Sequence, residues 1–114
     1  MDELIKKIMG FGVPGIILTI AMSLSGYAGA AALTVALASL GPFGMLGGIA
    51  VLGAIGFSAD KITEYGIEKI AKGVVRERLK TQSKDELKKE IRKYYISKSM
   101  KLKICDFIDR AAVD

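Results

Sequence analysis

The sequence predicts an all-α protein in which a glycine- and alanine-rich hydrophobic helical hairpin, embedded in a membrane, is followed by amphipathic basic helices. Three observations support this prediction. No charged residue occurs from Ile8 to Ala59, although a quarter of the whole chain is charged. Small residues recur within that run at helical spacing, and helix-capping signals precede amphipathic patterns after it. Because an ordinary surface helix has a polar face, the run must be surrounded by lipid, by other helices or by other copies of the chain.

The distribution of charge divides the chain into a hydrophobic, membrane-embedded helical region at 1–59 and a basic, amphipathic helical region at 60–114. The formal net charge is +5, and the two acids and two lysines before the apolar run cancel, so the excess lies in the second region. A basic region beside an apolar run predicts contact with anionic lipid headgroups and a cytoplasmic position. The residues predicted to face the headgroups are Lys61, Lys69, Lys72 and Arg76.

The segment from Met1 to Met9 is predicted to be a short amphipathic start to the chain, because Leu4, Ile5 and Ile8 lie on one side and charged residues on the other. It would lie at an interface or begin the first helix. A secretory signal peptide is the alternative for this part of the chain. Two acids before the apolar run disfavour that alternative. A second apolar stretch, which follows the cleavage site that a signal peptide would need and is longer than the first, also disfavours it.

The length of the apolar pieces decides between two layouts of the first region. Crossing ~30 Å of hydrocarbon takes about 20 helical residues, and none of the three short pieces reaches that length. The preferred layout therefore joins two of them through Gly26 into one helix from about Val13 to Leu40 and places the second helix at Phe43 to Ile62. The hinge is Gly41 and Pro42, where a helix-ending glycine precedes a proline. Three short helices packed as a hydrophobic bundle are the alternative.

Glycine, alanine and other small residues recur every four residues along the apolar run. In lipid, helices have no hydrophobic drive to associate, and small faces hold them together by close van der Waals packing. We therefore predict tight helix association, within one chain or in a homo-oligomer. The residues predicted to mediate it are Gly44, Gly48, Ala50, Ala54, Ala28, Ala32 and Ala36.

Helix-capping signals organise the basic region. An amphipathic helix is predicted from Asp60 to about Thr81, with Gly66 and Gly73 as the positions that could bend it. The sequence Ser-Lys-Asp-Glu that begins at Ser83 is a capping box and predicts a helix from Lys84 to about Tyr94. A serine at position 97 is predicted to cap the last helix, from Lys98 to Ala111, and these two helices form a helical hairpin.

The composition argues against an enzyme. No histidine is present, and Cys105 is the single cysteine, so the commonest acid–base residue and any multi-thiolate metal site are missing. We predict no catalytic, cofactor-binding or metal-binding residues, and we interpret Cys105 as a small packed side chain. Nucleic acid is disfavoured as a partner, because acids are interspersed among the bases and no compact basic cluster with interleaved aromatics stands out.

The segment Ala36–Gly41, with the glycines at 44 and 47 and the segment Leu52–Gly56, resembles two groups of membrane-active proteins in texture. One is the small glycine-rich hydrophobic proteins of the interferon-inducible mitochondrial type, and the other is the circular bacteriocins. The resemblance covers only the apolar part and does not assign the chain to either group. It implies an action in membranes.

These observations predict a small oligomeric integral membrane protein of the cell (inner) membrane, with both termini cytoplasmic. Its expected function is pore formation or membrane permeabilisation, as in a toxin, a holin-like protein or a defence effector. The alternative is a membrane-anchored or oligomeric interaction module without pore activity. The polar side chains available to line a pore are Thr19, Ser23, Ser25, Thr34 and Ser39, and each could instead bond to the carbonyl one turn back in its helix.

Overall fold

The computed structural model describes residues 1–42, Ile49 and residues 59–113, with backbone only at 59–61. The described residues form helices and no strand, which confirms the all-α prediction. We number the helices of this part of the chain in order. They are α1 (Asp2–Met9), α2 (Val13–Ser25), α3 (Gly29–Leu40), α4 (Ala59–Tyr65), α5 (Ile67–Arg78), α6 (Lys84–Arg92) and α7 (Lys98–Val113).

Helix α2 is the centre of the fold. All of its residues from Gly15 to Met22 are buried, because α2 contacts α1, α3, α5, α6 and α7. Among the described side chains, Thr19 is the only buried polar one, and its Oγ1 donates a hydrogen bond to the carbonyl oxygen of Gly15 at 2.7 Å. A helix enclosed on every side must be apolar all round, which accounts for the absence of charge in this part of the sequence.

The predicted continuous helix from Val13 to Leu40 is wrong. Helix α2 ends at Ser25, since Gly26 has a φ of 78° and caps the helix in the left-handed conformation that favours glycine. The side-chain Oγ of Ser25 then accepts a hydrogen bond from the backbone N–H of Tyr27 at 3.2 Å, and the axes of α2 and α3 differ by 111°. The first two pieces are therefore separate short helices, as in the alternative layout.

No single described helix has both the length and the apolar composition to cross a membrane, whereas α2 and α3 meet those criteria together as a bent pair. The membrane-embedded hairpin therefore stays a prediction. Most of its second helix, from Phe43 to Ile62, lies outside the described residues.

Helix α3 ends at Leu40, where the glycine–proline pair predicts a break, and Gly41 has a φ of 97°. Two carbonyl groups at the end of α3 accept hydrogen bonds from Ser97, which lies between α6 and α7. The N–H of Ser97 donates to the Leu40 carbonyl at 2.9 Å, and its hydroxyl donates to the Ser39 carbonyl at 3.1 Å. The same hydroxyl accepts from the N–H of Met100 at 3.3 Å, which confirms Ser97 as the cap of α7. Ser97 thus bonds the end of α3 to the start of α7, in addition to the packing of α2 against the basic helices.

The long helix predicted from Asp60 is divided at Gly66, whose φ is 86°, while Gly73 lies within α5. Gly73 instead allows close packing, because a Cβ there would lie 2.6 Å from Cδ1 of Ile5 in α1. The capping box is confirmed at Ser83, whose Oγ accepts from the backbone N–H of Glu86 at 3.2 Å. Helices α5 and α6 pack with α7 over the buried α2.

Candidate functional site

The predicted association residues divide into two groups. Ala32 and Ala36 are fully buried on the same side of α3 as Leu40, and α3 contacts α2 and α4. These two alanines therefore pack within the chain. Ala28 is exposed and has an extended backbone at the N-terminal cap of α3. The other four residues, Gly44, Gly48, Ala50 and Ala54, lie outside the described residues, and association between chains stays a prediction.

The hydroxyl groups considered for a pore lining mostly bond within their own helices. The Oγ1 of Thr34 donates to the carbonyl of Ala30 at 3.2 Å, and the Oγ of Ser39 donates to the carbonyl of Val35 at 2.8 Å. Thr19 makes the same bond, and the Oγ of Ser25 donates to the carbonyl of Met22 at 2.7 Å. Ser23 is half-buried. The bonded hydroxyls are therefore already satisfied without water.

Helix α3 presents an uncharged outer face. Its exposed residues are Ala30, Ala31, Thr34, Ala38 and Ser39, and the neighbouring Leu33, Val35 and Leu37 are half-buried. Surface helices of water-soluble folds normally carry charge on such a face. The outer surface of α3 could therefore contact lipid without the cost of moving a charged side chain into hydrocarbon.

The four basic residues predicted to face headgroups are not equally available to bind a membrane. Lys72 forms an ion pair with Glu68 at 3.4 Å, and the Nε of Arg76 donates to the carbonyl of Ala111 at 3.4 Å. Lys69 is exposed, and only the backbone of Lys61 is described. The acid one turn from Lys72 reduces the positive charge that this face can offer to a membrane, whereas Arg76 keeps its charge, because a bond to a carbonyl does not neutralise a guanidinium.

A second basic site lies between α6 and α7. A groove of about 440 Å³, which we name the basic groove, is lined by three cations and three side chains of low polarity. Leu102 is 66% exposed, and the Nζ of Lys101 donates to the backbone carbonyl of Arg92 at 2.7 Å. The lining residues are Arg92, Ile96, Lys98, Lys101, Leu102 and Cys105.

The sequence contains a signal for this site that the prediction missed. No acid occurs from Ile91 to Cys105, and the aromatic residues Tyr94 and Tyr95 lie in the same segment. This segment is a basic cluster, although its two tyrosines do not line the groove, and the prediction that disfavours nucleic acid stays a prediction. Five cations belong to the cluster: Arg92, Lys93, Lys98, Lys101 and Lys103.

Two titratable groups near the basic groove have shifted pKa values. Burial raises the pKa of the Cys105 thiol, although the positive charges of Arg92 and Lys88 act in the opposite direction. Cys105 is 8% exposed, and its thiol stays protonated at neutral pH, in agreement with a packed side chain. A hydrogen bond from the Lys88 ammonium, at 2.9 Å, lowers the pKa of Asp109, and Lys84 lies 3.5 Å from the same carboxylate oxygen.

Comparisons with known proteins leave the function to be argued from these surfaces. No protein-family model matches the chain, and neither the curated proteins nor the solved structures include a match. Within residues 1–42, 49 and 59–113, no group of three or more acidic or thiol side chains is placed to hold a metal ion.

Proposed function

We propose that this protein permeabilises membranes as a small oligomer, in the manner of a toxin, a holin-like protein or a defence effector. The observation that carries the proposal is the environment of α2, a charge-free helix that is buried from Gly15 to Met22 beneath amphipathic helices. In this form, the apolar surface of α2 is covered and the charges of the surrounding helices face water. The protein acts when α2, together with the uncharged α3, enters lipid in place of this cover.

The exchange is physically reasonable because a bilayer surrounds the apolar side chains of α2 without water, as the covering helices do. Lipid tails are as apolar as the side chains that now surround α2, so its transfer between the two leaves its side chains in a similar medium. Helices α1, α5 and α6 each have one apolar and one charged face. Amphipathic helices of this kind are stable in the plane of a membrane interface, with the apolar face toward the lipid.

Dye release from vesicles tests the proposal, with the full-length protein at a low protein-to-lipid ratio. Ala31→Glu places a charge on the exposed face of α3, near the middle of the apolar run formed by α2 and α3, where water tolerates it. A charged residue at the centre of a bilayer costs about 3 kcal/mol, so release should fall by roughly a hundredfold if α3 enters the bilayer. Ala112→Glu makes the same change at an exposed position of α7 and is the matched control. Equal release by the two variants contradicts membrane entry by α3.

A second function is supported by the internal hydrogen bonds of the α2 and α3 hydroxyls, which leave these groups satisfied without pore water. In this alternative the apolar region only anchors or assembles the protein, and the basic helices bind a partner. Tight vesicle binding without dye release favours the anchor. A third possibility, an oligomer in which the run is buried between chains, is contradicted if the protein pellets with membranes and resists carbonate extraction.

For location, we propose the cell (inner) membrane with both termini on the cytoplasmic side. The basis is the positive excess after Ala59, since positively charged segments beside membrane helices stay in the cytoplasm. Both ends then share one side only if the chain crosses an even number of times. Reporter tags at Met1 and Asp114, scored for protease accessibility in intact cells, test this. Cleavage of the C-terminal tag contradicts the orientation, and cleavage of the N-terminal tag alone indicates an odd number of crossings.

A further inference from the structure

We infer that the basic groove between α6 and α7 is the surface by which the protein docks on anionic lipid bilayers. The inference rests on the proposed membrane function and adds the contact surface and the lipid class. It also places the contact on α6 and α7, away from the α5 residues Lys69, Lys72 and Arg76 that the charge pattern favours.

The first argument is the combination of charge and apolar surface within one groove. Arg92 comes from the end of α6, while Lys98 and Lys101 lie in the first turn of α7. The hydrogen bond from Lys101 to the Arg92 carbonyl holds the two sides of the groove together. Leu102 lines the same groove and is two-thirds exposed, whereas Ile96 and Cys105 are buried. A docked bilayer would receive Leu102 among its acyl chains and the three cations among its headgroups.

The second argument is that acids near the groove are engaged by other cations. On the N-terminal side, Glu90 forms an ion pair with Arg78 at 3.7 Å. On the C-terminal side, Asp106 forms an ion pair with Arg110 at 3.1 Å. The carboxylate of Asp109 contacts two lysines of α6. The positive charge of the groove is therefore left to attract an external anion, and basic residues near an anionic membrane each strengthen binding by about fivefold.

The exposed leucine favours a bilayer over nucleic acid as the occupant. A groove that binds single-stranded nucleic acid stacks bases on aromatic side chains, and the lining of this groove contains no aromatic residue. A leucine among lysines is instead typical of surfaces that lie at the boundary between headgroups and acyl chains.

The test measures binding of the full-length protein to phosphatidylcholine vesicles with and without phosphatidylglycerol. The double variant Lys98→Gln/Lys101→Gln should bind the anionic vesicles about 25-fold more weakly, and Leu102→Ser about tenfold more weakly. The matched controls are Lys6→Gln/Lys7→Gln, which removes two exposed lysines of α1, and Val113→Ser, which removes an exposed apolar side chain from the far end of α7. Urea midpoints equal to that of the wild type show that each variant is folded.

The control variants should bind as the wild type does if the inference is correct. Equal weakening by the groove and control pairs overturns it, because binding then depends only on net charge. Groove substitutions that abolish binding of a single-stranded oligonucleotide but leave vesicle binding unchanged overturn it in favour of nucleic acid. Dye release separates this inference from the proposed function. If vesicle binding depends on the groove but no dye is released, the docking surface is supported and permeabilisation is refuted. If the groove variants bind and release dye as well as the wild type does, the docking surface is refuted and permeabilisation is supported.

Discussion

Replacing Gly15 with alanine should destabilise the protein, although alanine is the better helix former. Gly15 lies in the first turn of α2, directly after the connection from α1. A Cβ at this position would lie 2.7 Å from the carbonyl oxygen of Ile8 and 2.9 Å from Cβ of Phe11. Neither atom can rotate away, because one belongs to the backbone and the other is bonded directly to it. Relief therefore requires α1 to move relative to α2.

The magnitude follows from two opposing effects. Alanine in place of glycine within a helix contributes about 1 kcal/mol of stability. Overpacking of a well-packed interior costs roughly 1–3 kcal/mol, and a clash with the backbone places this site near the upper value. Complete undocking of α1 sets the limit, since it would expose Leu4, Ile5 and Ile8 at about 1.5–3 kcal/mol each. A smaller shift of α1 costs less than that, so we expect a net loss of about 2 kcal/mol.

Gly73→Ala is the matched control, because its new methyl group would also be too close to α1. The obstructing atom there is the terminal Cδ1 of Ile5, at 2.6 Å, and a side-chain torsion can move it. The cost of a strained rotamer, about 0.5–1.5 kcal/mol, offsets the gain in helix propensity. Urea unfolding followed by circular dichroism should thus place Gly73→Ala near the wild type and Gly15→Ala clearly below it.

Two results would refute this reasoning. Gly15→Ala could prove as stable as the wild type, or both alanine variants could lose the same free energy of unfolding. The comparison also bears on the proposed function. If α2 must leave its cover to enter lipid, a weakened contact between α1 and α2 should speed dye release at equal amounts of bound protein.

Three further predictions concern the basic region. Ser97→Ala should lower stability by about 1 kcal/mol through the loss of the helix cap, whereas Ser99→Ala, at an exposed position of the same helix, should change it by only a few tenths. Lys88 lowers the pKa of Asp109 below its ordinary value of 3.8, so this carboxylate stabilises the fold at neutral pH and ceases to do so as the pH falls through the lowered pKa. Asp109→Asn should therefore lose at most about 1 kcal/mol of unfolding free energy at neutral pH. In urea titrations, the variant should also lose less stability on acidification than the wild type does. The Cys105 thiol should react with iodoacetamide more slowly than a free thiol, and urea should abolish the difference, as measured by mass spectrometry.

The basic groove shows how a site can be visible in the sequence and still be missed. The segment from Ile91 to Cys105 contains five cations and no acid, which composition alone reveals. The groove itself depends on the turn between α6 and α7, which brings Arg92 to Lys101 and leaves Leu102 exposed. Sequence spacing does not specify the contact between Arg92 and Lys101, because the two residues belong to different helices.

Signals that act within one helical turn predicted some of the helix ends from the sequence. Ser83 and Ser97 cap helices where predicted, and Gly41 ends α3, because a cap or a left-handed glycine depends only on backbone groups a few residues away. The tertiary structure decided that Gly26, which a membrane helix would tolerate, ends α2, and that α2 is covered by its own amphipathic helices. A charge-free pattern requires only an environment without water, and lipid and packed side chains meet that requirement equally well. The choice between them depends on contacts with α5, α6 and α7, which are distant in sequence.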